Sequence, residues 1–220
     1  MNINDQIRRM EPISIIHIVE QLKTLDLPGA SAHQEVAPEG RLSISDAQIQ
    51  SRDPKMAAVV AVIYQKHNGP NIILTKRKPY NGVHSSQISF PGGKKEEGDI
   101  DFWACAQREC YEEIGIQIPN NNLIRPLSPI YIPPSNFFVH PFLAILNEPP
   151  NYLLDDKEVD YIIDLPLSSL LDDSILRDVK VETQQGIKLD VKAYVHEQEI
   201  IWGATAIILS ELKYLLKKLL

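Results

Sequence analysis

The stretch that decides the fold is Phe90 to Ile116, with the sequence FPGGKKEEGDIDFWACAQRECYEEIGI. Its second half predicts a helix from Asp101 to Ile114, because an acidic residue suits the N-cap and Gly115 follows the last apolar position. Pro91 to Gly93 predict a turn ahead of the helix, at which the backbone is able to approach a ligand closely. The segment therefore predicts a tight turn, a short loop and one helix.

Three glutamates share one face of this helix. Glu109, Glu112 and Glu113 are spaced i, i+3 and i+4, so their carboxylates repel one another. They also lie in the last turns, where the helix dipole is negative, and each unfavourable effect costs up to about 1 kcal/mol. A divalent cation would supply the missing positive charge, and all-oxygen ligation favours Mg²⁺ or Mn²⁺. For the glutamates alone, a solvated acidic helix end is the simpler alternative.

The neighbours of the glutamates favour a metal site. Arg108 is able to hold an adjacent carboxylate by a bidentate hydrogen bond. The carbonyl of Gly93 is the kind of hard oxygen that ligates such a cation. The three glutamates are therefore candidate ligands of a divalent cation. Arg108 is predicted to orient catalytic carboxylates, and Gly93 to ligate through its carbonyl.

The segment resembles the Nudix box, whose pattern is G-x5-E-x7-R-E-U-x-E-E-x-G-U, where U is apolar. Arg108 to Ile116 match its second half without a gap, with Cys110 at the apolar position. In the first half, the sixth residue after Gly93 is Asp99 rather than Glu, and eight residues instead of seven separate it from Arg108. The resemblance implies a Nudix fold and metal-dependent hydrolysis of a nucleoside diphosphate linked to another group. It also implies that Glu109 and Glu113 are the main metal ligands and that Glu112 is a ligand or the general base.

An upstream stretch resembles the signature of coenzyme A pyrophosphatases within that family, roughly L-L-T-x-R-[SA]-x3-R-x3-G-x3-F-P-G-G. Ile73 to Arg77 and Phe90 to Gly93 match it at the right separation, whereas Lys78, Gly82 and Ser86 depart from it. The resemblance implies cleavage of coenzyme A or its thioesters to 3′,5′-ADP and a 4′-phosphopantetheine product. The departures keep another substrate open, such as ADP-ribose or a nucleotide sugar. A module that binds a nucleotide without cleaving it is the third hypothesis, which the retained box glutamates oppose.

Three residues outside the helix are predicted to contact the substrate. Arg77 ends a predicted strand just before the loop, where a phosphate contact and a surface ion pair are equally good interpretations. Gly92 lies in the predicted turn, and His84 lies in the loop before it. A hydrogen-bonded surface histidine is the simpler alternative for His84. The resemblance also makes Glu158 a candidate general base, because some Nudix enzymes use a glutamate from outside the box; a solvated acidic turn is its alternative.

The organisation of the chain predicts an α+β fold with a mixed sheet and helices on both faces. The resemblance refines this to a Nudix-like α/β/α sandwich with an N-terminal helical extension. We predict an arm over residues 1–54, with a helix from Pro12 to Leu25 and an irregular remainder, and a Nudix domain over 55–220. Further strands are predicted at 56–64, 71–77, 124–132, 137–146, 159–163, 178–183 and 187–195, and helices at 167–171 and 203–219.

Composition limits the partners. The chain has 220 residues, and 22 Lys and Arg against 29 Asp and Glu give a net charge of −7, which is unfavourable for binding nucleic acid. A small nucleotide remains the predicted partner. No stretch predicts a membrane span or a signal peptide, so we predict a cytoplasmic protein. Cys105 and Cys110 are predicted to be ordinary thiols, and the apolar face of the N-terminal helix leaves a homodimer open.

Overall fold

The computed structural model of the chain describes residues 19–37, 45–67, 69–80, 82, 84–183 and 186–219. These residues form a large mixed sheet with helices on both faces and a smaller antiparallel sheet, which confirms the α+β class. The strands are β1 Lys55–Lys66, β2 Gly69–Arg77, β3 Ile88–Ser89, β4 Gly92–Lys94, β5 Leu123–Pro126, β6 Ile130–Ile132, β7 Phe137–Leu146, β8 Val159–Pro166, β9 Leu176–Glu182, β10 Lys188–His196 and β11 Glu199–Ile201. The helices are α1 Ala30–His33, α2 Asp46–Gln50, α3 Phe102–Ile114, α4 Leu167–Leu171 and α5 Gly203–Lys217, with 3-10 turns at Leu22–Thr24, Asn120–Asn122 and Asp173–Ile175.

Strand β1 lies in the middle of the large sheet because it is apolar on both faces. Ala58, Val60 and Val62 pack in the core formed with α3, whereas Ala57 and Ile63, at alternate positions, pack in the core formed with α5. β1 runs parallel to β7 and antiparallel to β2 and β4. The sheet order is β3-β2-β1-β7-β5, with β4 on β1, β6 on β7 and β8 on β2. This pairing brings β4 beside α3.

The N-terminal arm packs with α5 on the other face of the sheet. Val19, Leu22 and Val36 belong to the same hydrophobic core as the buried face of α5. The guanidinium of Arg125 donates hydrogen bonds to the carbonyl oxygens of Leu22 and Leu25. The described part of the arm is therefore held by both apolar burial and hydrogen bonds.

Two predicted elements of the sheet are wrong. The single strand predicted over 124–132 is split into β5 and β6, since Pro126 and Pro129 bring no N–H to the ladder with β7. The predicted turn before the helix is instead the short strand β4, which pairs with β1. β8 also continues beyond the predicted end of its strand, to Pro166.

The arm is more regular than predicted. Its described part contains the helices α1 and α2, where the sequence predicts irregular structure. α2 begins with a capping box, in which the side chain of Ser45 accepts from the Gln48 N–H and the Gln48 side chain accepts from the Ser45 N–H. Of the predicted helix from Pro12 to Leu25, residues 12–18 lie outside the described residues.

Three predictions concern the chain as a whole. Cys105 and Cys110, predicted to be ordinary thiols, are free and completely buried. Within the described ranges, no helix is long and apolar enough to cross a membrane. The division into an arm over 1–54 and a domain over 55–220 stays a prediction, as does the oligomeric state.

Candidate active site

Helix α3 carries the predicted metal-binding glutamates. It begins where Asp101 Oδ1 accepts a hydrogen bond from the Ala104 N–H at 2.7 Å, and Gly115 follows its last residue. Its apolar face packs in the core beneath β1. Glu109 and Glu113 lie against the two glycines of β4, so the strand and the helix together shape the site.

Glu109 lies directly against the backbone of Gly93. A Cβ atom at Gly93 would be 2.4 Å from Glu109 Oε2 and 2.6 Å from Oε1, so this approach requires glycine. The Gly93 carbonyl also accepts a weak hydrogen bond from the thiol of Cys105, with an S–O distance of 3.7 Å. Burial raises the pKa of that thiol to about 12, which keeps the proton on sulfur. Two predicted ligands, Glu109 and Gly93, are therefore neighbours in space.

Gly92 holds a second box carboxylate. Its N–H donates to Glu113 Oε2 at 3.1 Å. Its φ is 150°, and a Cβ atom there would lie 2.3 Å from the carbonyl oxygen of Ala58, so the close pairing of β4 with β1 requires glycine. Gly92, predicted to contact the substrate, thus donates its N–H to the Glu113 carboxylate.

Arg108 joins three carboxylates. Its Nε and Nη2 donate to the two oxygens of Asp99, both at 2.9 Å, which is a bidentate pair. Its Nη1 donates to Glu109 at 2.9 Å and to Glu112 at 2.8 Å. The hydrogen bonds from Arg108 lower the pKa of Asp99 to about 2. Asp99, the residue that departs from the box pattern, thus anchors the arginine that contacts two box glutamates.

Arg77 reaches the remaining box glutamate from β2. Its Nη1 donates to Glu113 Oε1 at 2.9 Å, and its Nη2 donates to Glu158 Oε2 at 3.4 Å. The side chain of Glu158 is 50% exposed, so a carboxylate from outside the box lies at the rim of the site. Arg77, predicted to contact the substrate, is engaged with two protein carboxylates.

Burial governs the charge of the two inner glutamates. Glu113 is 2% exposed, and burial raises its pKa to about 7 in spite of Arg77 and the N–H of Gly92. Burial also raises the pKa of Glu109, against the opposite effect of Arg108. The charge of Glu158 raises both pKa values further. The site therefore holds more negative charge than its two arginines stabilise.

The donor set fits a hard divalent cation. Glu109, Glu112 and Glu113 offer carboxylate oxygens, and Gly93 offers a carbonyl oxygen. Within the part of the chain that the structure describes, no three His, Cys, Asp or Glu side chains converge into a ready-made cage. Glu112 is half exposed and bound to Arg108. Because Mg²⁺ keeps several waters and needs few protein ligands, these donors are compatible with it as they stand.

His84 lies apart from the box glutamates, and Asp99 has a role that the sequence did not reveal. His84 Nδ1 lies 3.0 Å from Gln87 Oε1, and among the described contacts its ring reaches none of the box glutamates. Asp99 departs from the box pattern, and its carboxylate binds Arg108. The signal for this was its position, close to where the box has its first glutamate.

Known proteins resemble this chain over most of its length. The NUDIX domain model matches residues 54–178, which is more than half of the chain. The chain is 29% identical over 181 residues to mitochondrial coenzyme A diphosphatase NUDT8 of Homo sapiens, covering 81% of this chain and 76% of that protein. It is 32% identical over 163 residues to Nudix hydrolase 15, mitochondrial, of Arabidopsis thaliana, covering 71% of this chain but 56% of that protein. Both names place those proteins in mitochondria, so a cytoplasmic location for this chain stays a prediction.

A solved structure shares the fold. The MutT/nudix family protein from Enterococcus faecalis aligns with a TM-score of 0.53 at 13% identity, over 88% of this chain and 76% of that one. With the matching domain model and the intact second half of the box, this chain belongs to the Nudix family and is a Nudix hydrolase.

Proposed function

We propose that this enzyme hydrolyses the diphosphate of coenzyme A or its thioesters, with Mg²⁺ or Mn²⁺ as the cofactor. Water adds across the diphosphate: one P–O bond breaks, the oxygen of water forms the new one, and the products are 3′,5′-ADP and a 4′-phosphopantetheine compound. The upstream signature at Ile73 to Arg77 and Phe90 to Gly93 supports this substrate, and so does the similarity to a coenzyme A diphosphatase.

The observation that carries the proposal is the close contact of the Glu109 carboxylate with the backbone of Gly93. The Glu109 carboxylate lies against Gly93, whose carbonyl is a further oxygen donor, in a partly buried place that is short of positive charge. We propose that Glu109, Glu113 and Gly93 hold the cation, with Glu112 as a further ligand. When bound, such a cation neutralises the diphosphate, lowers the pKa of a water and stabilises the charge that develops on the phosphate oxygens.

Two arginines, Arg108 and Arg77, orient the carboxylates of the box. Arg108 is fixed by both oxygens of Asp99, and it fixes Glu109 and Glu112 in turn. Arg77 holds Glu113 and reaches toward the exposed rim at Glu158. The site is thus preorganised from two sides, which places the carboxylates before the substrate arrives.

The general base is one of the two half-exposed glutamates, Glu112 or Glu158. Both side chains have about half of their surface open to solvent, so either is able to take a proton from water at the rim. Glu112→Gln and Glu158→Gln separate the two. The base variant loses the acidic limb of the pH–rate profile together with kcat, whereas the other variant keeps that limb even if its kcat falls because a metal ligand is lost.

A second substrate class is favoured by one specific observation. Lys78, Gly82 and Ser86 depart from the coenzyme A signature, so another nucleoside diphosphate derivative, such as ADP-ribose, is the second candidate. In both cases the chemistry at Glu109 is the same, and the difference lies in what the loop before β3 recognises.

The test is product analysis by liquid chromatography. The protein is incubated with Mg²⁺ or Mn²⁺ and, separately, with coenzyme A, ADP-ribose, NADH or a diadenosine polyphosphate. Metal-dependent release of 3′,5′-ADP from coenzyme A is the expected result. Turnover of another compound with coenzyme A intact would overturn the substrate and keep the chemistry. No turnover of any compound would favour a nucleotide-binding module.

A further inference from the structure

The loop between β2 and β3 differs from the coenzyme A signature. That signature has a small residue at position 78 and an arginine at 82, where this chain has Lys78 and Gly82. The space beside Gly82 is filled by the ring of Tyr80. A Cβ atom at Gly82 would lie 2.2 Å from Tyr80 Cε2 and 2.9 Å from Cζ, so the ring and a side chain at 82 exclude one another.

The same ring lies under the guanidinium of Arg77. The Cζ atom of Arg77 is 5.7 Å from the centroid of the Tyr80 ring, within the range of a cation–π contact. The ring is 46% exposed, so one part of it contacts Arg77 and another part faces solvent. Arg77 is the cation that holds Glu113, and Tyr80 therefore connects the loop to the box.

Hydrogen bonds fix the backbone that carries the ring. The Tyr80 N–H donates to Ser85 Oγ at 2.9 Å, and Ser85 is buried. The Gly82 N–H donates to the carbonyl of Tyr80 at 3.0 Å, and the Ser85 N–H donates to the carbonyl of Gly82 at 3.2 Å. These short-range bonds hold the backbone of Tyr80, Gly82 and Ser85 together, so the loop restrains the residue that carries the ring.

We propose that Tyr80 is a positioning residue of the active site: its ring, admitted by Gly82, holds the Arg77 guanidinium where it contacts Glu113 and presents N–H donors to a phosphate of the substrate. The inference rests on the proposed function only in taking a nucleoside diphosphate as the ligand. Guanidinium groups carry five donors, and Glu113 and Glu158 take two of them. A ring beneath the group restrains its plane, which favours directed contacts to phosphate oxygens.

The experiment measures binding of α,β-methylene-ADP in the presence of Mg²⁺ by calorimetry, because this compound has two linked phosphates and no cleavable oxygen bridge. Tyr80→Ala is expected to raise Kd about five- to tenfold. Tyr80→Phe keeps the ring and retains the affinity of the parent. In steady-state assays with the best substrate, Tyr80→Ala raises KM by a similar factor and leaves kcat within about twofold, while the melting temperature shows that the variant is folded.

Gly82 supplies an independent check. Gly82→Ala is expected to weaken binding as much as Tyr80→Ala, because the new Cβ displaces the ring. The double variant Tyr80→Ala/Gly82→Ala should be no worse than Tyr80→Ala alone, since the displaced ring is already absent. Additive losses in the double variant would overturn the steric coupling.

Two outcomes overturn the proposal itself, and both are distinct from failure of the proposed function. If Tyr80→Ala binds the probe as the parent does, Tyr80 does not position Arg77 for phosphate. If Lys78→Ser weakens binding and Tyr80→Ala does not, the basic group at 78 is the phosphate contact instead. If coenzyme A is not cleaved while the Tyr80 effects appear, the substrate assignment fails and this inference stands.

Discussion

Two of the glutamates that the structure describes are almost completely buried on helices, and their surroundings differ. Glu113 on α3 is 2% exposed, and Glu211 on α5 is 0% exposed. Glu211 accepts hydrogen bonds from the hydroxyl of Ser128 at 2.6 Å and its N–H at 3.2 Å, and His33 Nε2 lies 3.3 Å away. Glu113 accepts from Arg77 and from a single backbone N–H.

The pKa values of the two carboxyls shift in opposite directions. Burial raises the pKa of Glu211, but hydrogen bonds from His33 and Ser128 outweigh it, so the net shift is downward. Burial dominates at Glu113 and raises its pKa to about 7, with the charges of Glu109 and Glu158 adding to the effect. The first carboxylate is stabilised by the protein alone, whereas the second is left short of positive charge.

The difference separates a structural carboxylate from a functional one. Glu211 joins the arm, through His33, to the β5–β6 connection at Ser128. These protein contacts satisfy both oxygens of its carboxylate. Glu113 lies in a group of acidic side chains whose arginines do not balance the buried charge, and a metal ion with a diphosphate substrate would complete that balance. If this contrast is correct, changes around α3 reduce turnover, and changes at Glu211 reduce only stability.

The largest expected effect is that of Glu109→Gln. The amide keeps the shape of the side chain against Gly93 but removes the charge that a divalent cation needs, so turnover should fall on the order of a thousandfold. Addition of Mn²⁺ should raise the melting temperature of the parent and not that of the variant. Glu211→Gln is the matched control, and it should keep its turnover per folded molecule. Parent-like turnover in Glu109→Gln would remove Glu109 from the ligand set.

Gly93→Ala tests whether the close approach of the backbone to Glu109 matters. The Cβ atom would lie 2.4 Å from the carboxylate, so Glu109 must move, and a displacement of about 1 Å is expected to cost on the order of a hundredfold in turnover. Gly98→Ala is the control, because nothing lies within 4 Å of a Cβ atom at that position. Equal activities of the two variants would show that the position of Glu109 is not critical.

Asp99→Asn loosens Arg108 without touching a box glutamate. The amide breaks the bidentate pair, so Arg108 holds Glu109 and Glu112 less firmly, and we expect kcat to fall about ten- to a hundredfold. Asp99→Glu keeps the charge and introduces the residue type of the box pattern, so it should recover part of the loss. A variant with unchanged kcat and metal-induced stabilisation would show that Arg108 is positioned by other contacts.

The local part of this contrast could be predicted from the sequence, and the long-range part could not. The helix, its end at Gly115 and the shared face of the glutamates follow from spacing within one segment. The contact of Arg77 with Glu113 joins residues 36 positions apart, and that of Glu211 with His33 joins residues 178 apart. Such pairs depend on how the strands and helices pack, and neither spacing nor charge along the chain reveals them.

The smallest effect on turnover and the clearest effect on stability are expected for Glu211→Gln. The amide brings a donor to a place where the Ser128 N–H and hydroxyl already donate, so one buried polar group loses its partner, at a cost of about 1–3 kcal/mol. The pKa of Glu211 in the folded state lies below its ordinary value of 4.5. Its contribution to stability is therefore present above that pH and is lost as the pH falls through the folded pKa.

Urea unfolding of parent and variant across this pH range measures the contribution directly. The difference in unfolding free energy between them should be largest near neutral pH and should shrink below about pH 4.5, because protonation removes the charge that the variant already lacks. A pH-independent difference would mean that Glu211 acts through packing rather than through its charge. A loss of turnover in folded Glu211→Gln would break the contrast, because the carboxylate assigned to structure would then also serve catalysis.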